Sequence, residues 1–294
     1  MKKEEIENYL KAGKIAKEVA EYAKSIIKPG ALLRDIAEKI ESKIEELGGK
    51  PAFPVNLCIN EIAAHFTPTL TSEDKAFGLL KIDFGVSCEG YIADIAFSLD
   101  LENSEENKKL IQASEKALEE ACKIIKPNIE LCEIGKIIQK TILDFNFSPV
   151  RNLSGHELAR YKVHAGLTIP NTDNNNHNKL QNGAYAVEPF STSGQGLVYE
   201  GKPSGIYELK EKKAIRDITA RKILKFIEQE YKTLPFCERW IEKKFPHSYF
   251  SLSLLEKSGV LYQYPRLIEK NHAKVSQAET TILVTDNKVE FLVD

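Results

Sequence analysis

Residues 81–99 constrain the fold more than any other part of the chain. On either side of Gly90, apolar residues alternate with other side chains, and each of the two runs carries one aspartate, Asp83 or Asp94. Alternation with a period of two indicates β-strands, and the glycine indicates a hairpin turn. The segment is therefore predicted to turn at Cys88-Glu89, which would place the two aspartates directly opposite each other, with Cβ atoms roughly 4.5–5.5 Å apart.

Facing carboxylates in a sheet repel each other, so something must offset the repulsion. One carboxyl could hold a proton, a divalent cation could lie between the two, or a different register could leave one aspartate at a solvated strand end. Three further residues favour the cation. His156 follows a proline break, Glu188 lies in an otherwise apolar strand, and Glu279 opens another apolar run. Buried acids without partners are costly, so four acids and one histidine on separate strands predict a metal site.

The composition of this donor set indicates which metals it would hold. Four carboxylates balance the charge of two divalent cations. A carboxylate-rich set with one imidazole suits Mn, Fe(II), Co or Zn, and the absence of a thiolate argues against a structural zinc site. Two divalent ions are therefore the predicted cofactors.

Two similar helical segments indicate an internal duplication. Apolar residues recur at helical spacing over 6–47 and again over 105–144, and each segment is broken at a proline. The motif Ile26-Ile-Lys-Pro29 returns as Ile124-Ile-Lys-Pro127, an offset of 98 residues. Strand-like segments follow both pairs, so two similar α/β halves are predicted. The alternative is that amphipathic helices with a proline break simply look alike.

The segment 202–271 has no counterpart in the first half and shows three further helical patterns. It is predicted to be an inserted helical subdomain, and residues 1–201 and 272–294 are predicted to form the main domain. The segment 171–178 is rich in asparagine and is predicted to be a surface loop without a chemical role.

Composition excludes several classes of protein. A net charge of -2 does not favour nucleic acid or an anionic membrane surface. The five cysteines are scattered without a CxxC pair, which predicts reduced thiols in a cytoplasmic protein rather than a disulfide framework or a zinc knuckle. The charged N-terminal residues are unlike a signal peptide, and no apolar run reaches the ~18 residues of a membrane helix.

Over nearly its whole length, the chain resembles the type II methionine aminopeptidases of the pita-bread fold. The archaeal form is the most similar, because a helix begins close to Met1, and Thr233–Trp240 resembles part of the type II insertion. The resemblance implies an α/β (α+β) fold with pseudo-twofold duplicated halves and a helical insertion. The segments that carry it are Phe53–Pro68, Lys81–Gly85 with Asp94, Asn152–His156, Val163–Gly166, Ala186–Phe190 and Gln277–Leu283.

The resemblance also implies a function, which is removal of the initiator methionine from nascent proteins with a small second residue. Asp83 would hold one metal, Asp94 and Glu279 would bridge both, and His156 and Glu188 would hold the other. A hydroxide between the metals would attack the first peptide bond, and Glu188 would relay its proton to the leaving amine.

Two histidines and an apolar pocket complete the implied site. His164 would hydrogen-bond the developing oxyanion and His65 the scissile amide. Without the resemblance, both read as ordinary core histidines. The methionine pocket would be formed by four residues, and Tyr264 would lie near the second residue of the substrate. Without the resemblance, each of these five residues is interpreted as an ordinary core residue. The four are Phe53, Leu153, Val163 and Phe190.

The chain departs from the family's pattern beside two of the metal ligands. Ala278 and Thr280 flank Glu279 where an aromatic residue and a histidine are usual, and Glu157 and Ala159 follow His156 where small residues are usual. These departures bear on metal preference and rate, because neighbours orient metal ligands.

Two other functions fit the fold. One is a prolidase or proline-specific aminopeptidase, which usually carries an additional N-terminal domain. The other is a non-catalytic pita-bread protein associated with the ribosome or nucleic acid, which lacks the metal ligands. The expected partners are nascent polypeptide N-termini and, transiently, the ribosome, with the protein a monomer.

Overall fold

The computed structural model describes residues 1–286 and 288–293, which form seven helices and sixteen strands. No helix in these ranges is long and apolar enough to cross a membrane. The helices are α1 Lys3–Ile26, α2 Leu33–Glu46, α3 Glu105–Ile124, α4 Leu131–Asp144, α5 Ile218–Glu230, α6 Glu238–Lys244 and α7 Tyr249–Lys257. The strands are β1 Lys50–Pro51, β2 Asn56–Ile59, β3 Ile62–Ala64, β4 Leu79–Cys88, β5 Tyr91–Asp100, β6 Ser148–Pro149, β7 Ser154–Leu158, β8 Thr168–Pro170, β9 Gly183–Val187, β10 Phe190–Thr192, β11 Val198–Leu209, β12 Phe236–Cys237, β13 Leu261–Glu269, β14 Val275–Gln277, β15 Thr280–Val284 and β16 Val289–Phe291.

The two helical pairs repeat as the sequence predicts. Helices α2 and α4 begin and end 98 residues apart, and α1 and α3 end at the same offset. In each pair the first helix ends three residues before the proline, and the residue after the proline, Gly30 or Asn128, adopts the left-handed conformation with φ of 82° or 64°. Glycine and asparagine tolerate that conformation, so both breaks have a local cause. The duplicated α/β architecture is confirmed.

The hairpin of β4 and β5 has a different register from the predicted one. Its turn is Glu89-Gly90, and both residues have positive φ, as a tight two-residue turn requires. Asp83 therefore pairs with Ala96, and Asp94 pairs with Gly85. The prediction that the aspartates lie directly opposite each other is wrong, because moving the centre of a turn by one residue shifts the pairing by two. The aspartates stay on one face as diagonal neighbours.

A five-stranded antiparallel sheet in the second half has the order β16-β15-β9-β7-β8. Its strand β15 meets β5 of the first half along a seam. The backbone N–H of Glu279 donates to the carbonyl of Ala96 at 2.8 Å. The Thr281 hydroxyl accepts from the N–H of Asp94 at 2.7 Å and lies 2.8 Å from its carbonyl. Along this seam, residues of the two halves therefore contact each other directly through hydrogen bonds.

Strands β1 and β2 pair with β4, and the other strands form two smaller sheets. One has the order β14-β10-β6, and the other, β12-β11-β13-β3, connects the segment 202–271 to the first half. Helices α5, α6 and α7 lie at the three predicted helical patterns and pack around a hydrophobic core of their own. The segment also contains most of β11 and all of β13, so it is not purely helical. The division into 1–201 with 272–294 and an inserted 202–271 stays a prediction.

Candidate active site

A cavity of about 310 Å³ opens between the two halves and the insertion. It is lined by all twelve residues that the sequence predicts for metal or substrate binding. These are Phe53, His65, Asp83, Asp94, Leu153, His156, Val163, His164, Glu188, Phe190, Tyr264 and Glu279.

Buried acidic groups and one imidazole form the floor of the cavity. Asp94, His156 and Glu279 each contribute one atom to a group in which all atoms lie within 4.8 Å of one another. His156 Nε2 lies 3.8 Å from Asp94 Oδ2 and 3.6 Å from Glu188 Oε1. Burial lowers the pKa of His156 to about 3, so the imidazole is neutral at pH 7. A neutral imidazole keeps a lone pair that can bind a metal.

The four carboxyl groups repel one another in a region from which water is largely excluded. Burial raises the pKa of Asp83 to about 7. Burial, and secondarily the neighbouring carboxylates, raises the pKa of Asp94, Glu188 and Glu279 well above the usual range. Throughout the described ranges, no lysine or arginine forms an ion pair with any of the four. The cluster thus lacks a cation from the chain itself.

The donor set fits divalent metal ions. Asp94 Oδ1 is buried and has no hydrogen-bond partner in the part of the chain that the structure describes. An orphaned carboxylate oxygen next to three other acids and a neutral imidazole is costly unless a cation neutralises it. Oxygen and imidazole donors are those that divalent transition metals take in proteins.

The strands position these proposed donors. Asp83 and Asp94 lie on β4 and β5, and His156 lies on β7. Glu188 follows β9 directly, and Glu279 precedes β15. The seam between β5 and β15 fixes Asp94 and Glu279 relative to each other through the backbone contacts already described. Alternation along the strands explains why these side chains reach one side of the sheets.

Two site residues were missed from the sequence. The amide of Gln277 donates to Glu279 Oε2 at 3.3 Å and lies 3.5 Å from Glu188 Oε2. Its position two residues before Glu279 was an available signal, because residues i and i+2 share a face of a strand. The amide of Asn171 donates to the carbonyls of Leu153 and Glu188, both at 3.1 Å.

Asn171 corrects the prediction for the segment 171–178. The segment was expected to be an exposed loop throughout, but Asn171 is only 1% exposed. Its hydrogen bonds to two carbonyl groups hold the backbone beside the candidate metal donors. No feature of the asparagine-rich sequence distinguishes this residue from the exposed ones that follow it.

Three aromatic rings line the outer part of the cavity. His164 meets His156 edge-on with ring centroids 4.5 Å apart, and Tyr264 meets His65 edge-on at 5.1 Å. The Tyr264 hydroxyl donates to Glu208 at 2.6 Å, which fixes the ring. Burial lowers the pKa of His65 to about 4, so this imidazole is neutral. A carbonyl can only accept, so Nδ1, which lies 3.1 Å from the Pro265 carbonyl, carries the proton and leaves Nε2 as an acceptor.

Comparison with known proteins identifies the family. Residues 7–249 match the metallopeptidase family M24. The chain belongs to this family. It is 45% identical to the methionine aminopeptidase of Pyrococcus abyssi over 291 residues, which cover 97% of this chain and 98% of that protein. Within family M24, the chain therefore groups with the methionine aminopeptidases, and divalent metal ions are its cofactors.

Solved structures show the same fold at low sequence identity. A thermophilic Arx1 superposes with a TM-score of 0.84 at 16% identity, covering 100% of this chain and 91% of that one. The methionine aminopeptidase of Thermotoga maritima superposes with a TM-score of 0.71 at 22% identity, covering 100% of this chain and 98% of that one. The pita-bread fold expected for this M24 member is confirmed.

Proposed function

We propose that this chain removes the N-terminal methionine from newly made proteins whose second residue is small. The observation that carries the proposal is the set of four carboxylates, two of them buried, and one neutral imidazole that line a largely apolar cavity. The full-length similarity to a methionine aminopeptidase supports the reaction. The complete donor set does not favour the alternative, a non-catalytic binding protein of this fold.

Two metal ions would be held by the five donors. Asp83 would bind one ion, His156 and Glu188 the other, and Asp94 and Glu279 both. The orphaned oxygen of Asp94 and the charge of four carboxylates support a dinuclear site. Bound ions would supply an activated water and polarise the scissile carbonyl. Mn, Fe(II), Co and Zn all suit these donors.

Three side chains would handle protons and hydrogen bonds around the peptide. Glu188, whose Oε1 lies 3.6 Å from His156 Nε2 at the proposed metal site, would take a proton from the activated water and pass it to the leaving amine. Nε2 of His65 would accept from an N–H of the substrate, because Nδ1 is engaged by Pro265. His164, which lies at the solvent-exposed side of the cavity, would donate to the developing oxyanion.

Specificity would come from the apolar wall opposite the acids. Phe53, Leu153, Val163 and Phe190 leave room for an unbranched thioether and exclude charge. An apolar pocket of this kind discriminates between first residues by ~1–3 kcal/mol. Tyr264 is held by Glu208 and would limit the size of the second residue.

Peptide cleavage tests the function directly. A Met-Ala peptide should lose its methionine in the presence of added divalent metal, and a Met-Lys peptide should be cleaved much more slowly. Exhaustive chelation should stop turnover, and metal should restore it. Full activity in chelator, or equal cleavage of the two peptides, would refute the proposal. Cytoplasmic location, a transient ribosome contact and a monomeric state stay predictions.

A further inference from the structure

A second group of potential metal donors lies on the surface of the second half of the molecule. Cys132, Glu130 and His177 bring their side-chain donor atoms within 4.8 Å of one another. The sequence gives no sign of the cluster, because 45 residues separate Cys132 from His177. As far as the structure describes the chain, none of the three lines the catalytic cavity. The cluster therefore has no part in the proposed reaction.

Two of the three donor-atom distances suit a metal site, and the third is that of a hydrogen bond, which a bound ion would replace. Cys132 Sγ lies 3.7 Å from Glu130 Oε2 and 3.7 Å from His177 Nδ1, and the last two atoms are 2.8 Å apart. A circle through these three points has a radius of about 2.0 Å. Zinc binds imidazole nitrogen and carboxylate oxygen at ~2.0–2.2 Å and thiolate sulfur at ~2.3 Å. An ion placed slightly above the plane of the atoms would satisfy all three distances.

Backbone hydrogen bonds hold the donors in place. Cys132 lies in the first turn of α4, and its N–H donates to the carbonyl of Asn176 at 2.9 Å. The preceding N–H, of Leu131, donates to the carbonyl of Asn178 at 2.9 Å. These two bonds flank His177 and fix its backbone against the helix. Such a preformed arrangement reduces the entropy lost when a ligand binds.

The exposure of the three side chains and the charged residues around them also suit a bound metal ion. Cys132 is 4% exposed, whereas the side chain of His177 is 70% exposed, so the cluster opens to solvent on one side. A water molecule could complete a tetrahedral set there. Glu133 and Asp173 add negative charge nearby, and Lys179 adds one positive charge. Burial and the neighbouring carboxylates of Glu130 and Glu133 raise the pKa of the Cys132 thiol, so the thiol would release its proton as the ion binds.

We propose that Glu130, Cys132 and His177 form a zinc site that is separate from the catalytic centre and fastens the loop 173–178 to the start of α4. Zinc is favoured because it accepts sulfur, nitrogen and oxygen donors in one tetrahedral set. Asn171, which holds the Glu188 carbonyl, lies just before this loop. The site would therefore steady one wall of the cavity without taking part in the reaction.

Cobalt distinguishes this site from the catalytic one. Cobalt bound to a thiolate gives a sulfur-to-metal charge-transfer band, and the five catalytic donors include no sulfur. Titrating the reduced, metal-free full chain with Co²⁺ should produce the band. Cys132→Ser should remove it, His177→Ala should weaken it strongly, and the matched control Cys88→Ser should retain it. Absence of the band in the wild type, or its persistence in Cys132→Ser, would overturn the proposal.

A second measurement guards against a variant that fails to fold. His177 is exposed, so His177→Ala should fold normally. Zinc should raise the melting temperature of the wild type further than that of His177→Ala, and both proteins should cleave Met-Ala peptide at similar rates with catalytic metal present. Equal zinc-dependent shifts in the two proteins would show that the cluster is only a hydrogen-bonded group.

Discussion

Two buried groups of charged side chains differ in how their charge is balanced. In the first, Arg239 of α6 is 1% exposed, and its guanidinium donates to both oxygens of Glu41 on α2, at 2.7 and 2.8 Å. Trp240 Nε1 donates to the same carboxylate at 2.9 Å, and Arg239 Nε donates to the Pro68 carbonyl at 3.1 Å. In the second group, the four carboxylates of the candidate site, Asp94 keeps an oxygen without a partner among the described residues.

This difference distinguishes a buried ion pair that stabilises the fold from a buried carboxylate cluster that is suited to binding a cation. The Glu41–Arg239 pair joins residues 198 positions apart, and it is neutral and fully hydrogen-bonded within the chain. It holds the insertion on the first half. The carboxylate cluster, in which Asp94 and Glu279 are buried, has no cation from the described residues, so a cation from outside would balance it. Burial alone does not identify a site, whereas burial with unbalanced charge does.

The largest expected effect is a loss of turnover when one carboxylate is removed from the carboxylate cluster of the candidate site. Glu279→Gln should abolish turnover, because the side chain can no longer bridge two cations. The metal-free variant should be at least as stable as metal-free wild type, since one buried repulsion is gone. Peptide cleavage and melting curves with and without metal would measure both. Full activity after metal is added back would contradict the proposed role of Glu279.

In the Glu41–Arg239 pair, removing one partner should lower the stability of the fold instead. Arg239→Leu leaves Glu41 buried and unpaired, which should lower the free energy of unfolding by about 3–5 kcal/mol. Urea denaturation of the metal-loaded protein would measure it. The double variant Glu41→Gln with Arg239→Leu should recover part of the loss. A loss below ~1 kcal/mol would mean that the pair contributes no more than an exposed salt bridge.

Replacing His65 tests whether this neutral imidazole, which lines the cavity with the carboxylate cluster, acts on the substrate. His65→Ala should lower kcat by roughly 10²–10³-fold while metal content stays unchanged, because His65 is not a proposed ligand. Metal analysis, melting temperature and kcat should be measured on one preparation. A variant that is destabilised but catalytically normal would leave His65 as an ordinary core histidine.

Gln277 should have the smallest effect of the four. Its amide orients two of the proposed ligands, so Gln277→Ala should weaken metal affinity by about 10–100-fold and leave turnover at saturating metal largely intact. Competition with a metal-binding dye would give the affinity, with the exposed Gln181→Ala as control. An unchanged affinity would show that the ligands are oriented without Gln277.

Features of the fold and of the candidate site could be predicted from the sequence where a short local pattern determines them. Proline breaks located both helical pairs, and isolated acids in apolar strands pointed to residues that the structure brings together in one cavity. The hairpin register was wrong because alternation does not say which two residues turn, and Glu89 adopts positive φ despite having a side chain. Strand β11 was missed because Gly201, Pro203 and Gly205 interrupt its alternation and its pairing is irregular.

Contacts between distant segments could not be predicted. Nothing in the asparagine-rich segment indicates that Asn171 is buried against Glu188 or that His177 meets Cys132, because each contact depends on how two separate elements pack. The same holds for the pairing of Arg239 with Glu41. Local patterns specify which side chains are available, and tertiary packing specifies which of them meet.

The seam between β5 and β15 has a consequence for biosynthesis. Four of the five proposed metal donors precede the insertion along the chain, and Glu279 follows it. A growing chain can therefore assemble most of the site early, but β15 can dock against Ala96 and Thr281 can engage Asp94 only after the insertion has been translated. We therefore expect the proposed metal site to be completed only late in maturation, once Glu279 has joined the other four donors.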